Sequence, residues 1–207
     1  MKTFTTIFTT ILMVFAITAF ANDDAKVYNG TVTLENGETL VGQIQMLSPT
    51  LNEVKVKFIG KGSTKRVLKA KEVKEYAFRV QKWNKKEKKY NEIWITYIRK
   101  KVERSPIPFG PTNVLIERQI EGSINLYNHF IEQNSDKRSP YIQLKYIERN
   151  EDELILITSD NYKKTLKSLT VDNPNIHNKI GTKGYYFSQI NKIIKEYNTW
   201  LEESETL

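Results

Sequence analysis

Cysteine is absent from the 207 residues, so the chain has no thiol nucleophile, no disulfide framework and no cysteine-ligated metal site. Histidine is scarce: only His129 and His177 occur. A zinc site would have to combine them with carboxylates, and neither has a partner at ligand spacing. His129, beside Tyr127 and Phe130, reads as a structural or surface histidine, and His177, in an asparagine-rich stretch, as a surface one. The G-x-S-x-G elbow, the S-x-x-K and H-E-x-x-H patterns and the P-loop are missing. That removes the common signatures of acyl transfer, metalloproteolysis and nucleotide hydrolysis. Glu151, Asp152 and Glu153 stand together without the alternate oxygen ligands and turn glycine of a calcium loop. No cofactor and no metal are expected, and catalysis has no support in the residues.

Long apolar runs are lacking beyond the first residues, so no later segment is long enough to cross a bilayer as a helix. The start of the chain has a different logic. Lys2 precedes a charge-free stretch from Phe4 to Phe20, and Ala19-Phe20-Ala21 supplies the small-x-small pattern of a signal-peptidase site. The apolar part, Ile11 to Ala21, is short for a span of roughly 20 residues, and Asn22-Asp23-Asp24 follows at once. Residues 1–21 are therefore expected to be a cleaved signal peptide and the remainder to be periplasmic or secreted. With no cysteine after the cleavage site, a lipidated anchor is excluded.

Acidic residues are sparse in the middle of the chain. Lys55 to Arg104 holds 18 basic and 5 acidic residues, while the whole chain carries a formal charge of only +8. A stripe of this sign draws polyanions.

What is present is mostly strand pattern. In Val27 to Met46, Tyr28, Gly30, Val32 and Leu34 share one face, as do Leu40, Gly42, Ile44 and Met46, and Asn36-Gly37 between them suits a tight hairpin turn. Glu53 to Phe58 alternates apolar Val54, Val56 and Phe58 with lysines, and Lys65 to Lys69 reads as its return strand. Lys71 to Glu75 reads as a helical turn or corner leading into Tyr76, Phe78 and Val80 on one face. Asn91 to Val102 is a β-prone return, with the lysine-rich Trp83 to Tyr90 as the turn between. Ser105-Pro-Ile-Pro-Phe-Gly-Pro111 breaks regular structure. It separates a β-rich region, 22–104, from a second region, 112–207, that is either distinct or continuous with it.

In the second region, Val114 to Ile120 and Ser123 to Tyr127 read as two strands, with a short helix over Asn125 to Ile131 as the alternative. Tyr141 to Arg149 and Leu154 to Thr158 read as a hairpin. Tyr162, Leu166 and Leu169 have helical spacing, and a loop is expected from Asn173 to Gly184. Ser188 is placed to cap a last helix whose Ile190, Ile193, Ile194, Tyr197 and Leu201 form one apolar stripe. The fold expected is mainly β (α+β), an antiparallel twisted sheet or small barrel of successive hairpins with two C-terminal amphipathic helices.

Gly30-x-Val-x-Leu with Asn-Gly-Glu-Thr-Leu-Val-Gly-Gln-Ile44, Val56-Lys-Phe58, Lys71-Glu-Val73, Glu121-Gly-Ser-Ile-Asn-Leu-Tyr127 and Ile193-Ile-Lys-Glu-Tyr-Asn198 together resemble exported proteins of the Bacteroidota. The resemblance covers most of the chain after residue 21. It implies fold and export and assigns no catalytic residue.

The expected function is that of an exported envelope binding or assembly module. Its candidate ligand-binding residues are Lys82, Trp83, Lys85, Lys86, Lys88, Lys89 and Tyr90, where lysines and aromatics interleave. The partners that fit are an anionic glycan, a membrane surface of lipid head groups, or another envelope protein. Nucleic acid suits the residues chemically but not the compartment. The alternatives are an unrecognised envelope hydrolase and a purely structural subunit.

Overall fold

The computed structural model describes residues 26–102, 113–133, 140–150 and 153–206. The expected signal peptide, the proline-rich break, and Glu151 and Asp152 lie outside the described residues. Ten strands among the described residues form one antiparallel sheet: β1 (Val27–Leu34), β2 (Thr39–Gln45), β3 (Lys55–Ile59), β4 (Lys65–Lys69), β5 (Val73–Asn84), β6 (Lys89–Lys101), β7 (Asn113–Ile120), β8 (Ile124–Glu132), β9 (Tyr141–Arg149) and β10 (Ile155–Ile157). Their order across the sheet is β10-β9-β8-β7-β6-β5-β1-β2-β3-β4, which is open rather than closed into a barrel. Among the described residues four α-helices accompany it: α1 (Pro49–Val54), α2 (Tyr162–Leu169), α3 (Pro174–Lys179) and α4 (Ile190–Glu205). No helix among the described residues is long and apolar enough to cross a membrane.

The period of two in the sequence becomes two unequal faces. On the inner face Val32, Ile44, Val56, Phe58, Leu68, Tyr76, Phe78, Tyr97 and Leu115 form one buried cluster. Tyr76 and Tyr97 stack with centroids 4.7 Å apart, across the β5–β6 rung that pairs them. Further along, Ile124, Leu126, Ile147 and Ile157 meet the apolar stripes of the helices: Leu166 from α2, Ile176 from α3, and Ile190, Ile193, Ile194 and Tyr197 from α4. The ladder from Thr96↔Arg118 to Lys101↔Asn113 joins β6 to β7, so the sheet runs unbroken through both halves of the chain.

Close strand approach explains two glycines. A side chain at Gly30 would run into the Ala77 carbonyl oxygen, and one at Gly42 would come within 2.5 Å of the Ile59 carbonyl oxygen. At the first turn Gly37 adopts φ +86°, which the Asn-Gly pair supplies at little cost.

Three local expectations need correction. Glu53 and Val54 belong to α1, not to the strand that begins at Lys55, because Ser48 accepts from the Leu51 amide and Pro49 starts the helix. The helix offered as the alternative over Asn125 to Ile131 does not form, and the strand reading there holds, as β8. The Asn173 to Gly184 loop contains α3, started by the same chemistry: Asn173 Oδ1 accepts from the Ile176 amide and Pro174 opens the first turn. Ser188 does not cap α4. It sits inside a one-turn 3-10 helix, Phe187–Gln189, after which α4 begins with Gln189 as N-cap and no side-chain cap bond.

Candidate functional site

Three places concentrate chemistry. The first is the outer end of the β5–β6 hairpin. β1 pairs with β5 only as far as Phe78, and β7 pairs with β6 only from Thr96 onward. The rungs from Arg79↔Trp94 to Asn84↔Lys89 therefore have no flanking strand among the described residues. They project as a two-stranded arm about 20 Å long at a strand rise of about 3.3 Å per residue.

Strand alternation sorts the arm's side chains. Arg79, Gln81 and Trp83 share the outer face with their rung partners Trp94, Glu92 and Tyr90, whereas Lys82 lies on the opposite face from Trp83. Trp83 and Tyr90 meet edge to face at 5.1 Å, and Arg79 stands over the Trp94 ring at 5.2 Å. All three aromatics are exposed: Trp83 46%, Tyr90 66% and Trp94 54%. The turn is held by Asn84, whose Oδ1 accepts from the amides of Lys86 and Glu87, and Lys88 adopts φ +52°. Lys89 pairs with Glu87 at 3.1 Å, while Lys82, Lys85, Lys86 and Lys88 have no carboxylate partner among the described residues. The arm thus gathers all seven candidate residues within two short strand ends and their turn, and adds Trp94 and Arg79, which lay outside the lysine-rich run.

The second place is a groove of about 830 Å³ at the other end of the same hairpin. On its floor Glu148, nearly buried, accepts from Lys100 Nζ at 2.6 and 2.7 Å and from the Tyr127 hydroxyl at 2.6 Å. Burial, and then the bond to Glu148, push the Tyr127 hydroxyl far above its ordinary value, so it remains a donor. Lys100 also lies 5.4 Å from the Tyr127 ring centroid. On the rims Arg118 pairs with Glu121 at 2.7 Å and Arg99 with Glu35 at 2.5 Å. These residues come from strands far apart in the sequence, and no single stretch announces the site.

The third place is a buried carboxylate–histidine pair. β7 and β8 are paired at Glu117↔Asn128 and separate beyond it. α1 enters that fork: Glu53 Oε2 lies 2.6 Å from His129 Nδ1, and Oε1 accepts from the Phe130 amide at 2.8 Å. Asn52 holds the helix in place, exchanging two bonds with the Leu47 backbone, and its carbonyl accepts from Tyr76 Oη. Burial raises the Glu53 carboxyl above its ordinary value, opposed by the hydrogen bond and charge of His129. Both side chains are shut away from solvent, at 2% and 7% exposure, and neither lines the groove. A hydrolytic dyad must reach substrate, and this pair, shut from solvent, instead stands as a wedge in the fork between β7 and β8. His177 is half-buried rather than on the surface, with Nδ1 3.1 Å from the Lys167 carbonyl oxygen.

No family model, no curated protein and no solved structure matches the chain.

Proposed function

We propose that this chain is an exported protein of the bacterial envelope that binds an anionic glycan through the β5–β6 arm. The observation that carries the reading is the arm itself: two strand ends with no flanking strand, tip lysines Lys85, Lys86 and Lys88 with no carboxylate partner among the described residues, and three exposed aromatics on one face. Free ammonium groups attract the carboxylate, sulfate or phosphate groups of such a polymer. Exposed rings offer flat apolar surface to the polarised C–H groups of pyranose rings, which favour the negative face of an aromatic. Export rests on the charge-free stretch and the Ala19-Phe20-Ala21 site. A mature N-terminus at Asn22 in protein recovered from the periplasm or medium would support it, and an intact Met1 would remove it.

The binding test compares the chain from Asn22 with a variant in which Lys85, Lys86, Lys88 and Lys89 are Ala. Acidic polysaccharide, lipopolysaccharide and anionic liposomes are offered to both at low and high salt. Polysaccharide binding should fall at least tenfold in the variant, and the salt dependence should shrink with it. Binding equal in both proteins overturns the reading, and binding to liposomes alone moves the partner from glycan to lipid.

A further inference from the structure

The groove at the base of the hairpin has the wrong chemistry for the ligand its tip attracts. Four cations and four carboxylates line it: Lys100 pairs with Glu148, Arg118 with Glu121 and Arg99 with Glu35, and Lys74 is balanced by Glu75 in the same lining, so the groove offers an anion no net positive charge. An apolar ligand is no better served, since the floor is an ion pair and a tyrosine hydroxyl bonded to it. A neutral, hydroxyl-rich molecule suits such a surface. A carboxylate has about four lone-pair sites and a guanidinium five N–H groups, so each paired residue keeps capacity for further bonds. A hydroxyl can donate to one partner and accept from the other. Asn125, also lining the groove, adds an amide with both functions. The volume of about 830 Å³ is that of an ordinary ligand site, though a polar one.

Position supplies the second observation. Glu75 and Ile98, which border the groove, form a rung on the same outer face as Arg79↔Trp94 and Trp83↔Tyr90. From Ile98 to Trp94 is about 13 Å along β6, and from Trp94 to Tyr90 about 13 Å more. One extended chain could lie across the groove, over Trp94 and onto the Trp83–Tyr90 pair.

We infer that the groove is a subsite for an uncharged, hydroxyl-bearing segment of a saccharide chain, continuing the aromatic track of the arm. The inference takes its class of polymer from the proposed glycan reading, while the groove's own chemistry stands apart from the lysines. The test uses neutral hexasaccharides, chitohexaose, cellohexaose and maltohexaose, titrated calorimetrically into the chain from Asn22 at 0.5 M NaCl, where surface attraction at the tip is screened. At least one should bind. Replacing Arg118 and Glu121 together by Ala should weaken it at least fivefold, as should Trp94→Ala, with the fold of each variant checked by circular dichroism. Lys65→Ala, on the β4 edge away from both the groove and the arm, should bind the same hexasaccharide unchanged. Absence of binding by all three sugars, or binding indifferent to the Arg118/Glu121 substitutions, overturns the groove assignment. Neither result bears on low-salt capture of acidic polymer, which tests the tip alone.

Discussion

At the scale of single residues, Glu53 carries the most consequence. It satisfies a histidine and a backbone amide where β7 and β8 part, so Glu53→Ala leaves two buried groups without a partner. A loss of about 3 kcal/mol in urea-unfolding free energy is expected, the scale of breaking a buried pair. Glu53→Gln should cost less, because an amide can serve both His129 and Phe130 if the imidazole changes tautomer. The two variants also separate in pH. The folded state holds the Glu53 proton more tightly than the unfolded chain does, since burial raises the carboxyl above its ordinary 4.5. That contribution to stability is complete below the ordinary value and disappears as pH rises through the raised one. Unfolding free energies measured from pH 4 upward should therefore decline from this source in the parent protein, and Glu53→Gln should flatten the decline. Asn198 is a comparable case on α4. Its amide bonds both the N–H and the C=O of Ile124, so Asn198→Ala should cost about 2 kcal/mol in the same assay.

At the scale of elements, the arm and the body should behave differently. An isolated two-stranded ribbon is only marginally stable, and here beyond Phe78 the ladder is held on one side only. Native-state hydrogen exchange should find the amides of Val80 to Tyr90 opening at low free energy, while Ile116, Leu126 and Ile147 open only with global unfolding. Uniform protection would contradict the arm's independence. The strands were readable from the sequence because each presents apolar residues every second position to a buried face, as Tyr76, Phe78 and Val80 do. The apolar stripes of α2 and α4 were readable for the equivalent reason at helical spacing. The short helices were not: α1 and α3 have too few residues to show a period, and their only trace was a capping residue before proline, Ser48-Pro49 and Asn173-Pro174. The tip lysines could be seen as a run, but Trp94 joins them only through strand register. The groove was invisible for a stronger reason, since Lys100, Arg118, Tyr127 and Glu148 become neighbours only when four strands align.

At the scale of the whole molecule, the sheet continues across the β6–β7 ladder between the two regions that the proline-rich segment separates in sequence, and a single cooperative unfolding unit is the expected consequence. The inner face passes from the cluster around Tyr76 and Phe78 to the helix-covered cluster around Leu126 and Ile147, with Leu115 and Tyr97 between. Thermal unfolding followed by far-ultraviolet circular dichroism and by tryptophan fluorescence should give coincident midpoints, and two separated transitions would show that the halves unfold independently. The open ends of the sheet are guarded unequally. β4 forms one edge with Lys65, Arg66 and Lys69 along it, a positive rim that discourages a second sheet from adding there.

The fork filled by α1 also bears on the order in which the chain assembles. Glu53 and His129 are separated by 76 residues, whereas the hairpins on either side close between near neighbours in sequence. Because α1 docks in a fork that exists only once β7 and β8 are in place, the wedge is expected to close late on the folding path. Substitutions at Glu53 should then speed unfolding and leave the refolding rate almost untouched, making this pair a clasp on the lifetime of the native state rather than a guide to its formation.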